Sequence, residues 1–116
     1  MRYLLSWHIR EEELRRRSPA WREDVVAFLA RFEDELFANS ELDWVEVLDP
    51  ESHAVVVGPG AEVRSGFYNE GGKPSARVWG IRVASRERAL EVAATLAGQL
   101  DTWIEVREIL PGAQRP

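Results

Sequence analysis

Two histidines, His8 and His53, are the side chains here most suited to proton transfer near neutral pH, because an unperturbed imidazole titrates there. His8 stands at the end of an N-terminal strand, where a pocket can open, so it is the candidate catalytic base. Glu46 or Glu105 is the carboxylate expected to orient it. A hydrogen-bonded structural histidine is the competing reading. His53 falls in a turn before a hairpin and is expected at the surface. Arg82 and Arg107 carry the planar fork that clamps carboxylates. Trp44, Glu46, Phe67 and Tyr68 complete a candidate ligand-binding set with Arg82 and Arg107: apolar walls with a few placed charges. Against this stands the reading that Arg82, Arg107, Glu46 and Glu105 pair with one another, within a chain or across a dimer.

Other chemistries are poorly served. Two separated histidines in a chain without cysteine make no zinc-ligand spacing, so no metal and no cofactor is expected. Gly58-Pro59-Gly60 lacks the strand–glycines–helix context of a phosphate loop and reads as hairpin punctuation. Gly71-Gly72-Lys73 precedes a strand, not a helix. Ser65 lies in no nucleophile elbow, which disfavours a serine hydrolase. The loop Asn69–Ser75, with Phe67 and Tyr68, is either a lid over a pocket mouth or a flexible surface loop.

The elements that must position these groups follow from period and punctuation. Arg2–Ile9 alternates as a strand, with Tyr3, Leu5, Trp7 and Ile9 on one face and Leu4, Ser6 and His8 on the other. Glu11–Arg17 reads as a solvated helical turn with three i,i+4 pairs: Glu11–Arg15, Glu12–Arg16 and Glu13–Arg17. Ser18-Pro19 opens the first long helix, whose stripe is Trp21, Val25, Phe28, Leu29, Phe32 and Leu36. Glu33 falls mostly away from that stripe. Trp44–Leu48 is a second strand, and a hairpin follows from His53–Val57 and Ala61–Arg64. Arg77–Val83 is another strand, with Arg77, Trp79, Ile81 and Val83 on one face and Val78, Gly80 and Arg82 on the other. Ser85 caps a second helix, and Trp103–Leu110 is the last strand. Gly112–Pro116 reads as a loose tail.

This order is βαββαβ with a hairpin insert, the α+β ferredoxin-like arrangement. Right-handed crossovers put both helices on one sheet face. The other face is then bare, and it carries several of Leu4, Trp44, Leu48, Val78 and Trp103. An apolar sheet left bare is an association surface, and a homodimer with two sheets face to face around a partly open barrel is the expected solution. Of the five tryptophans, Trp7, Trp21 and Trp79 are expected under the helices. Trp44 and Trp103 are expected at the dimer interface.

Length and charge set the outer bounds. A chain of 116 residues is expected to form one domain, here residues 1–110 followed by a tail at 111–116. A net charge of −5 argues against a nucleic-acid partner. No apolar run reaches the length of a membrane span. The start is too short and too quickly charged for a signal peptide, and with no cysteine a cytoplasmic address fits.

The segment Val63–Ser85 runs V-R-S-G-F-Y-N-E-G-G-K-P-S-A-R-V-W-G-I-R-V-A-S. With the M-R-Y-L-L opening, the A-S-R-E-R-A-L-E-V-A helix and the closing I-E-V-R-E-I, it resembles the YCII-related small proteins, in the branch named for its D-G-P-F motif. Ser65-Gly66-Phe67-Tyr68 stands where that branch has Asp-Gly-Pro-Phe. The resemblance covers nearly the whole chain, to about Leu110, and implies a dimeric α/β barrel. Some members are enzymes, including a dechlorinating enzyme, and resemble muconolactone isomerase in fold. They use a His–Asp pair. The position of their histidine is Trp21 here, and Asp101 is at best a shifted equivalent of their aspartate, so the dyad is not carried over. The branch's own acid position is Ser65. Members of the branch often occur beside sigma factors, which implies regulation. The resulting expectation is a small-molecule-binding homodimer with an accessory or regulatory role. The alternative is a lyase, isomerase or dehalogenase-like enzyme acting on a small cyclic or aromatic acid. For that enzyme His8 is the base and Arg82 or Arg107 the clamp.

Overall fold

The structure, a computed structural model, describes residues 1–112. Its order is β1 (Arg2–His8), α1 (Glu11–Arg16), α2 (Pro19–Ala38), β2 (Leu42–Val47), a short 3₁₀ turn (Glu51–His53), β3 (Val55–Val57), β4 (Val63–Ser65), β5 (Ser75–Arg82), α3 (Arg86–Leu100) and β6 (Ile104–Glu108). The class is mixed α+β. β2, β5, β1 and β6 form, in that order, one antiparallel sheet, an order compatible with the ferredoxin-like plan. The tail expected from position 111 falls mostly outside the described residues, which end at Gly112.

Both long helices start as their sequences dictate. The Ser18 hydroxyl accepts from the Trp21 N–H at 3.0 Å, and the Ser85 hydroxyl from the Arg88 N–H at 3.2 Å. Each bond satisfies a helix-end donor that has no partner inside the helix. α3 ends on Asp101, whose φ of 53° is left-handed, a conformation that aspartate tolerates better than most residues. Gly66, with φ of 112°, turns the chain out of the hairpin, where any side chain would strain the backbone.

The core is one cluster on the helix side of the sheet. Leu5, Trp79, Ile81, Leu96 and Leu100 are its largest fully buried members. The stripe Val25, Phe28, Leu29, Phe32 and Leu36 of α2 covers one half of the sheet, and Ala89, Val92, Ala93 and Leu96 of α3 cover the other. Trp7 and Trp79 lie in this core, while Trp21 sits half-buried at its margin.

Several expectations change in three dimensions. β2 starts earlier than expected, because Leu42 packs onto the core, and the register slips at Asp43. Glu33 does not face water. It accepts two Arg77 guanidinium nitrogens, at 3.1 and 2.7 Å, and the Trp79 indole N–H at 2.8 Å. Of the three pairs expected along α1, Glu11–Arg15 and Glu12–Arg16 form. Glu13 instead takes Lys73 and Arg17 reaches Asp101, because α1 ends before Arg17 can lie above Glu13.

A second ion pair ties α3 to the start of β2. Arg88 donates to both carboxylate oxygens of Glu41 at 2.9 Å and also reaches Glu91. The Arg88 hydrogen bond holds the Glu41 carboxyl below the usual carboxylate range, and the same bond pushes the Arg88 guanidinium up. A lowered folded pKa stabilises fully above the unfolded value of about 4.3, and that contribution vanishes as pH falls through the folded value. Arg88→Gln is therefore expected to be less stable than wild type at pH 7, by about 1 kcal/mol or less. Urea unfolding in steps from pH 7 to pH 3 is expected to show the gap closing in acid. A gap that stays constant to pH 3 would assign the loss to packing rather than to the charge.

Candidate functional site

The sheet face away from the helices is built of cross-strand rows. One row reads Trp44, Gly80, Leu4 and Arg107, and the next Glu46, Val78, Ser6 and Glu105. Arg82 lies opposite Arg2 at one end of β1, and His8 lies opposite Ser75 at the other. The face alternation expected for β1, β2 and β5 therefore holds, and among the described residues no helix covers this side. Gly80 is what lets Trp44 lie on the face: a Cβ there would stand 2.3 Å from the indole ring. Leu4, Trp44 and Val78 are half-buried, while Trp103, just before the start of β6, is 94% exposed.

The expected pairing of Arg82 with Glu46 or Glu105 does not occur within the chain. Asp43, thrown outward by the register slip, reaches the Arg82 Nε at 3.4 Å and the Arg2 Nε at 3.3 Å. Arg107, Glu46 and Glu105 make no ion pair among the described residues. Arg82 and His8 stand six strand residues apart, roughly 20 Å at the ordinary strand rise. No site within one chain holds both. Glu46 and Glu105 lie in the row of Ser6, and neither is hydrogen-bonded to His8 among the described residues.

A different set does converge. His8, Phe67 and Tyr68 line one groove of about 440 Å³ at the end of β1, together with Asp49, His53, Asn69 and Lys73. Arg10 organises it. Its guanidinium donates to the carbonyls of Glu70 and Gly72 and lies 5.2 Å from the centre of the Phe67 ring. The Ile9 N–H donates to the Pro74 carbonyl at 3.0 Å. Lys73 donates to Glu13 at 2.8 Å, and that bond holds the Glu13 carboxyl below its usual range. Glu51 accepts the Glu11 N–H at 2.9 Å, fixing the opposite rim. Loop 66–74 is thus pinned to β1 and α1 at several points rather than hanging free, while Tyr68 remains exposed.

Within this groove the His53 Nδ1 lies 2.9 Å from the Asp49 carboxylate. A carboxylate on one imidazole nitrogen fixes the ring's orientation and readies the other nitrogen for proton transfer. His53 is at the surface as expected, but it shares the groove with His8. The sequence signal for this pair is the i,i+4 spacing across a turn, which is common on surfaces. Arg10 carried no signal, since its partners are backbone carbonyls some sixty positions away. Ser6, although on the face without helices, is only 3% exposed, and its hydroxyl meets that of Ser75 at 2.9 Å.

The six candidate ligand residues and His8 therefore fall into two groups. Trp44, Glu46, Arg82 and Arg107 spread across the sheet face, while His8, Phe67 and Tyr68 meet in the groove. Among the described residues, no three of His, Asp or Glu are placed to hold a metal ion, and no helix is long and apolar enough to cross a membrane. No protein-family model matches the chain, and no similar curated protein was found.

Proposed function

We propose that the chain is a YCII-related protein that pairs with a second copy through its helix-free sheet face, forming a dimeric α/β barrel of ferredoxin-like halves. It binds a small polar or aromatic molecule in the groove of His8, Phe67 and Tyr68, in an accessory or regulatory role. The groove carries this reading: two aromatic rings and several hydrogen-bonding groups meet in a concavity large enough for such a ligand, beside a sheet face that no helix among the described residues covers. The β3–β4 hairpin supports the dimer. It forms a two-stranded sheet of its own with Val55, Val57 and Val63 exposed, and an isolated hairpin of this kind is marginally stable in water.

One observation favours the enzyme reading, a lyase, isomerase or dehalogenase-like activity on a small cyclic acid. It is the His53–Asp49 pair in the same groove, which supplies an oriented base where the family's own dyad is missing.

A library of small polar and aromatic compounds screened by saturation-transfer NMR is expected to give hits that lose their signal in both His8→Ala and Tyr68→Ala. A screen whose hits ignore both substitutions would overturn the ligand reading. Sedimentation velocity is expected to show a particle of twice the 13.2 kDa chain mass. A monomer at high micromolar concentration would overturn the barrel.

A further inference from the structure

We infer that the outer edge of β6 joins a second copy of the chain edge to edge, as an antiparallel β6–β6 pair about a two-fold axis. β6 ends the order β2-β5-β1-β6, so among the described residues no strand pairs with its outer side. The Ile109 N–H donates to the Arg2 carbonyl at 2.8 Å, and the backbone groups of a strand turn to alternate sides. The N–H and C=O groups of Ile104, Val106 and Glu108 therefore point outward. An unpaired row of this kind is a template for another strand.

Charge selects both the partner and the register. β6 reads I-E-V-R-E. With Val106 opposite Val106 of the second copy, Glu105 faces Arg107 on both sides of the axis. The same register makes Val106 the central hydrogen-bonded pair, flanked by Ile104 against Glu108. Glu105 and Arg107 then take the non-hydrogen-bonded positions, where side chains come closest. A slide of two residues sets Glu105 against Glu105 or Arg107 against Arg107. A slide of one puts opposing side chains on different faces. Glu105 and Arg107 are exposed and, among the described residues, without an ion-pair partner.

The space beside the edge suits the same occupant. A groove of about 770 Å³ runs between α3 and β6, lined by Leu90, Ala94, Ala97, Gly98, Ile104 and Val106. Val106 and Ile104 of the second copy enter it from their own strand, and the short side chains of α3 leave room for them. Trp103, 94% exposed, stands at the same groove. The opposite edge of the sheet is blunted. β2 carries a register slip at Asp43, and its charges, Asp43 and Glu46, are both negative. The β6 edge is distinct from the helix-free face of the proposed dimer, and its pairing does not rest on that face.

Sedimentation velocity from micromolar to millimolar concentration is expected to show a step that doubles the particle. It joins two chains into four where the sheet-face dimer holds, and one into two where it does not. Glu105→Arg and Arg107→Glu each set like charges opposite one another and are expected to weaken this step about tenfold. Mixed one to one, the two variants oppose arginines to glutamates, and the step is expected to return with both kinds of chain in the particle. Glu108→Pro removes an outward N–H and no bond to β1, so it is expected to weaken the step with circular dichroism unchanged. Hydrogen exchange at the Val106 amide is expected to slow as concentration rises. Absence of the step in the wild type would overturn the edge pairing. So would a mixture no better than its components, a step indifferent to Glu108→Pro, or a Val106 amide whose exchange ignores concentration.

Discussion

Glu33→Ala is expected to destabilise the fold by about 2–3 kcal/mol, among the largest losses a single polar side chain here can produce. The reason is that one carboxylate serves two buried partners. Arg77 forks onto Glu33 with side-chain exposures of 21% and 16%, and the indole N–H of fully buried Trp79 donates to the same oxygen. Removing the carboxylate leaves a cation largely out of water and an indole donor unmade. The two losses separate by choice of variant. Glu33→Gln keeps an acceptor for Trp79 and loses only the charge, so it should retain part of the stability. Adding Arg77→Met to Glu33→Gln removes the stranded cation and should recover most of the remainder, since a buried ion pair replaced on both sides is often nearly neutral. Urea unfolding of the three variants reads this directly. Equal losses for Glu33→Ala and Glu33→Gln would mean that the Trp79 bond contributes nothing.

Gly80→Val is expected to weaken the proposed dimer by about 30-fold or more, the effect of removing a tryptophan anchor of about 2 kcal/mol from an interface centre. Trp44 lies directly on the Gly80 backbone, and a side chain there would stand 2.3–2.7 Å from its ring atoms. The ring must lift off the sheet and stand in the path of the second copy. The strand itself should survive, because valine suits a β position better than glycine. Sedimentation velocity measures the dissociation constant, and the tryptophan emission, expected to move to longer wavelength, reports the displaced ring. A displaced ring with an unchanged dissociation constant would remove this face from the dimer. A variant that unfolds would be told apart by its circular dichroism, and Trp44→Ala would then carry the same test without touching the backbone.

The elements legible in the sequence are those whose signal is local. The stripe Val25, Phe28, Leu29, Phe32 and Leu36 repeats at the helical period, so it reads as one buried face and is one. Tyr3, Leu5 and Trp7 alternate with Leu4 and Ser6, and the sheet keeps that division. Ser18 and Ser85 cap their helices through atoms three residues away. Glu33 escaped the same logic. Its place on the helix points mostly away from the apolar stripe, but Arg77 and Trp79 come from a strand more than forty positions on. Periodicity contains no information about a partner that far away.

The candidate site divides along the same line. Counting in twos groups His8 with Ser6, Trp44 with Glu46, Arg82 with Gly80 and Arg107 with Glu105, and the strand pairing puts these groups on the face without helices. Which of them stand together could not be counted. That depends on the pairing of β1 with β5 and β6, on the slip at Asp43 and on the path of loop 66–74. The slip gives Arg82 to Asp43 rather than to Glu46. Backbone carbonyls of Glu70 and Gly72, held by Arg10, bring Phe67 and Tyr68 to His8.

By itself, then, the order of residues determined the α+β class, the run of elements and the inward face of each long element. These follow from backbone geometry repeated over a few residues. Only the tertiary structure decided the groove and the Asp49–His53 pair within it. These arise where strand ends, α1 and two loops meet, and what meets there is set by long-range hydrogen bonds and packing rather than by neighbours along the chain.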